Sequence, residues 1–94
     1  MGEEGLRLVY SVHAVQRMAE RGIREVDVAR VVREGREIES YPDNKPYPSR
    51  LVLGWADGKP IHVVAASAED AIIVITVYEP DRGQWDTGFE RRKR

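Results

Sequence analysis

Apolar positions along this 94-residue chain change their period about a third of the way in. Before that point Val12, Val15, Met18 and Ala19 recur at helical spacing, with Ser11 placed as an N-cap and Gly22 as a left-handed terminator. A first helix is expected over about residues 12–21, with those four residues on its buried side. Val28, Ala29, Val31 and Val32 predict a second over about 25–34, ended by Gly35. Beyond it, alternation takes over. Residues 36–41 form a short edge strand by this pattern, and the prolines at 42, 46 and 48 forbid regular structure in the next segment. Segments 49–56 and 60–67 flank Asp57-Gly58, a hairpin signal. Residues 71–79 hold the densest β-branched run, which belongs inside a sheet with both faces covered. The order predicts an α+β fold with both helices on one face of a four-stranded, mainly antiparallel sheet.

Composition narrows the class. With 41% hydrophobic residues in 94, one small domain is expected, its core spanning about 8–90 and a basic tail at 91–94 left disordered. The absence of cysteine excludes disulfides and cysteine-ligated metal sites. No apolar run approaches the roughly 20 residues of a membrane span, and the first residues are acidic where a signal peptide is basic. A soluble, cytoplasmic protein without membrane contact is the expectation. The net charge of -1 conceals an arginine-rich first third, an acidic middle and the basic end Arg91-Arg92-Lys93-Arg94. Any site for a polyanion must therefore be focused rather than spread over a basic surface.

Candidate chemistry concentrates in two places. His13, Arg17 and Arg21 recur every four residues and so form one stripe along the first helix. Imidazole, with an ordinary pKa of about 6.5, exchanges protons near neutrality, and arginine grips phosphoryl oxygens in pairs. Thr76 and Tyr78 alternate with Val77, so both face one side of the last strand. Together these groups supply what RNA cleavage needs: a base for the ribose 2′-hydroxyl, an acid for the leaving oxygen and cations for the charged phosphorane. Arg91 and Arg92 are candidates for a flanking phosphate. Each residue also has a structural role open to it. His13 can serve the helix cap, Arg17 or Arg21 can pair with Glu20, Glu25 or Glu79, and Tyr78 and Trp85 can be core or rim aromatics. His62, between Ile61 and Val63, reads as a hydrogen-bonded core residue, and two histidines without ligand spacing argue against a metal site. No cofactor is called for.

The run from Ser11 to Ile23 that contains His13, Arg17 and Arg21, the segment Glu39-Ser40-Tyr41-Pro42, the strand Ile61-His62-Val63-Val64 and Ile75 to Asp81 followed by Trp85, Arg91 and Arg92 resemble a bacterial family, domain of unknown function 4258. That family looks distantly similar to RelE/ParE-like toxins and, through them, to barnase-like and EndoU-like ribonucleases. The resemblance implies a RelE-like sheet and a metal-independent endoribonuclease of toxin–antitoxin type, or a degenerate RNA-binding relative. RNA and an antitoxin-like protein are the partners it implies. A noncatalytic protein-interaction module is the alternative from another class.

Overall fold

The computed structural model describes residues 5–93, which run β1 (Arg7–Tyr10), α1 (Val12–Arg21), α2 (Glu25–Glu34), β2 (Arg36–Tyr41), β3 (Ser49–Ala56), β4 (Lys59–Ser67) and β5 (Ala71–Tyr78). Local chemistry sets the bounds of α1. The Ser11 hydroxyl accepts the Ala14 N–H at 3.0 Å, and Gly22 closes the helix with φ 67°, a conformation that costs glycine little.

The sheet corrects the expectation of four mainly antiparallel strands. Five strands lie in the order β1-β5-β4-β3-β2, and β1 runs parallel to β5, with Arg7 opposite Ala71 and Tyr10 opposite Val74. β1 escapes a sequence reading because four residues establish no period and its partner sits near the other end of the chain.

β5 changes neighbours halfway along. β1 covers it only as far as Val74; there Ser11 N–H donates to the Val74 carbonyl at 3.0 Å, its hydroxyl donates to the Ile75 carbonyl at 2.7 Å, and α1 takes over the margin. On the other side the register with β4 slips, since Val64 pairs with Thr76 and Ala65 with Val74. Ile75 is the bulged residue and is 38% exposed, so the apolar run of β5 is not covered throughout.

Apolar residues from both helices share one core. Ala14, Val28, Val31 and Val32 pack with Val63, Ile72, Val74 and Val77. α1 contributes a narrow stripe of Ala14 and half-buried Met18, whereas of the residues expected inside Val12 and Val15 are 75% and 53% exposed and Ala19 is exposed as well. The reason is placement. α1 lies along the margin of β5, so the sheet meets only one side of it. The opposite face of the sheet carries a second cluster, in which Leu51 and Leu53 meet Trp85 and Phe89 from the segment after β5. That segment is held in place as far as Lys93, which corrects the expected disordered tail. Trp85 bridges Arg92, Lys93 N–H donates to the Gln84 carbonyl at 2.9 Å, and Arg92 pairs with Glu39 at 3.0 Å. Arg94 lies outside the described residues.

Candidate functional site

The marginal seat of α1 leaves one side of the helix facing the second sheet face. A cavity of about 330 Å³ opens there between α1, the end of β5 and the C-terminal segment. His13, Arg17 and Arg21 line it from the helix, and Thr76 and Tyr78 from the strand, so the residues singled out by spacing meet in space. Arg92 joins them from the C-terminal segment, whereas Arg91 is not part of the lining. Glu79, Asp81, Gln84 and Trp85 complete the walls, and sequence reasoning misses them as site residues. Their only signal is position: Glu79-Pro80-Asp81 leaves the polar end of β5 just where its alternating Thr76 and Tyr78 face the stripe. His13 is exposed on the cavity wall. Arg17 is paired with Glu20 at 3.3 Å, and since both are well exposed the pair contributes little and leaves the guanidinium available to an anion.

Behind Tyr78 lies a buried hydrogen-bonded chain. His62, fully buried, has Nε2 2.8 Å from the Phe89 carbonyl, which can only accept, so Nε2 carries the proton. In the neutral ring Nδ1 then accepts from the Tyr78 hydroxyl, 3.2 Å away. Burial pushes the His62 pKa below its ordinary 6.5, in keeping with an uncharged ring, and burial pushes Tyr78 up. The phenol therefore spends its proton inward, and its oxygen acts as an acceptor on the outer side. His62 also meets Trp85 edge to face, with centroids 4.5 Å apart.

Arg92 fixes the other wall. Its guanidinium sits 4.6 Å over the Trp85 ring and hydrogen-bonds both oxygens of Glu39, whose carboxylate also accepts from Tyr41. Burial alone would raise Glu39, but the bonds from Arg92 and Tyr41 hold it below the ordinary 4.5. Among the described residues no His, Asp and Glu cluster suited to a metal ion is present, and no helix is long and apolar enough to cross a membrane.

An α+β domain with an open cavity lined by imidazole, guanidinium, carboxylate and phenol is the class these features define. A family model described as Domain of unknown function (DUF4258) matches residues 10–79, and the chain belongs to that family. The matched span holds the α1 stripe and all of β5, while the segment carrying Trp85 and Arg92 lies beyond it. No curated protein and no solved structure matches the chain, so the likeness to RelE/ParE toxins gains no support.

Proposed function

We propose that this protein cleaves RNA by transesterification, using side chains alone. Glu79 takes the proton of a ribose 2′-hydroxyl, whose oxygen attacks the adjacent phosphorus. His13 returns a proton to the departing 5′-oxygen, and the products are a 2′,3′-cyclic phosphate and a free 5′-hydroxyl. Arg17 and Arg21 hold the nonbridging oxygens as charge builds on the phosphorane. The observation that carries the proposal is the convergence of His13, Arg17, Arg21 and Glu79 on one open cavity, although they come from opposite ends of the chain.

Incubating purified protein with a single-stranded RNA oligonucleotide tests it. Cleavage with cyclic-phosphate ends is expected, and His13→Ala should lower the rate about 10²–10⁴-fold, as for loss of a general acid. Because His13 is exposed, the variant should melt like wild type. An intact protein that leaves RNA uncut, or a His13→Ala variant as fast as wild type, refutes the mechanism.

Exposed Val12 and Val15 favour a second proposal, that this side of α1 binds a protein partner such as an antitoxin-like chain. Co-expression pull-down with Val12→Glu against wild type tests it; equal recovery of the partner refutes it.

A further inference from the structure

We propose that the cavity where α2 meets β3 is a nucleobase subsite, with Trp55 as the stacking surface for a base of the same RNA strand; this deepens the cleavage proposal and rests on it. β3 outlasts β2 at this corner. Arg36 at the start of β2 pairs with Leu53, so Gly54 and Trp55 extend past the neighbouring strand. α2 supplies the missing support: Arg30 donates to the Trp55 carbonyl at 2.7 Å and to Asp27 at 2.9 Å. The Trp55 ring meets Phe89 edge to face with centroids 6.0 Å apart, yet the residue is 49% exposed. An indole that is held and still open is prepared for stacking, which tolerates any base because every base has a π-face.

A lone exposed tryptophan would mean little, but this one borders a cavity of about 380 Å³, within the range of about 300–1,000 Å³ usual for small-ligand sites. Its charged walls balance, Arg30 and Arg36 against Glu34 and Glu90, and Arg36 pairs with Glu90 at 3.4 Å. Balanced charge draws a phosphate weakly, while the same groups offer donors and acceptors to the edge of a neutral base.

The register connects this corner to the His13 cavity. Leu53 lies opposite His62 and His62 opposite Tyr78, so alternation puts Trp55 on the same sheet face as Tyr78. Two strand spacings across and two residues along separate them by about 12 Å. The C-terminal segment with Trp85 and Phe89 covers the sheet face between them, so a strand must pass over it, which takes about three or more nucleotides at roughly 3.4 Å or more each. A third cavity, of about 290 Å³, shares Trp85 with the His13 cavity and is lined by Arg82 and Lys93 together with Asp86. Phe89 lines it too and touches Trp55. Two cations and one carboxylate thus line the cavity that adjoins both, and the Trp55 ring offers an aromatic surface beyond it.

Fluorescence anisotropy with a labelled, 2′-O-methylated hexanucleotide, which cannot be cleaved by attack of its own 2′-oxygen, tests the subsite. Trp55→Leu retains apolar bulk against Phe89 without a π-face, and should weaken hexanucleotide binding by about 5- to 100-fold. Trp55→Phe should retain most of the affinity, and a labelled dinucleotide, too short to span both cavities, should not distinguish the three proteins. Equal affinity of Trp55→Leu and wild type, an equal loss in Trp55→Leu and Trp55→Phe, or no binding by wild type overturns the subsite. If Trp55 governs binding but wild type leaves the unmethylated hexanucleotide intact, cleavage is refuted and the base site stands. If His13 governs cleavage while Trp55 is silent, the reverse holds.

Discussion

His62 makes the stability of this domain depend on pH in a window that can be isolated. In the folded protein the ring is fully buried, neutral and held below its ordinary pKa of 6.5 by burial. The unfolded chain takes up a proton at about 6.5. Above that pH both states are neutral at this residue and its contribution is intact. Below it the unfolded state binds more protons, so stability falls until the folded pKa is passed. One proton sets the ceiling of the slope at about 1.4 kcal/mol per pH unit. A domain of this size shifts by about 4–8 °C per kcal/mol, so each pH unit below 6.5 should lower the melting temperature by up to about 5–11 °C. His62→Gln removes the titration. It should also cost about 1–3 kcal/mol at pH 7, because an amide cannot reach both the Phe89 carbonyl and the Tyr78 hydroxyl as the ring does. Thermal melts by circular dichroism at pH 5 to 8 measure both effects, and the difference between wild type and variant isolates His62 from every other group. Asp27, held down by hydrogen bonds from Arg30 and then Arg24, and Glu39, held down by Arg92 and Tyr41 against its burial, lose their contributions only below their ordinary 3.8 and 4.5, outside this window. An unchanged slope in His62→Gln, or an imidazole resonance titrating at or above 6.5, would refute the buried neutral tautomer.

Two further perturbations probe the frame of the sites. Gly54→Ala puts a Cβ against Val31 Cγ2, within 2.8 Å of Val31 Cγ1 and 3.0 Å of Val31 Cβ, so α2 must shift; a loss of about 1–3 kcal/mol is expected in urea melts, with partial recovery on adding Val31→Ala. A Gly54→Ala variant as stable as wild type would show that α2 is not seated on β3 as described. Ser11→Ala removes both the cap of α1 and its bond to the Ile75 carbonyl, and should cost about 1–2 kcal/mol while loosening α1 from β5. Hydrogen exchange at Ala14 and Val15 should rise first, and unaltered protection there would contradict the tether.

The helices, the hairpin and β5 were legible because each is long enough to show its period and is bounded by a glycine, a proline or a cap. β1 was not, since Arg7-Leu8-Val9-Tyr10 is too short and its pairing is a matter of distant contact. Counting apolar residues on a helix puts Val12, Val15 and Ala19 beside Met18 in the core, and it cannot reveal that α1 sits at a margin. His13, Arg17 and Arg21 could be grouped because one helix displays them. Glu79 and Asp81 could not, because they acquire meaning only once β5 delivers them beside that helix. Trp55 reads in sequence as one more strand aromatic; only the shortness of β2 exposes it. Arg92 was expected loose because runs of basic residues usually are, and Glu39 with the Trp85 ring overrides that tendency.

The parallel pairing of β1 with β5 has a kinetic consequence. Contacts between positions this far apart in sequence carry a large loop-closure cost, and such non-local pairing slows folding. Since α1 is seated on the margin of β5 beside β1, a chain whose first residues are not docked on β5 does not present the His13 groups together with Glu79. Whatever chemistry this constellation performs is withheld from the chain until its two ends have met.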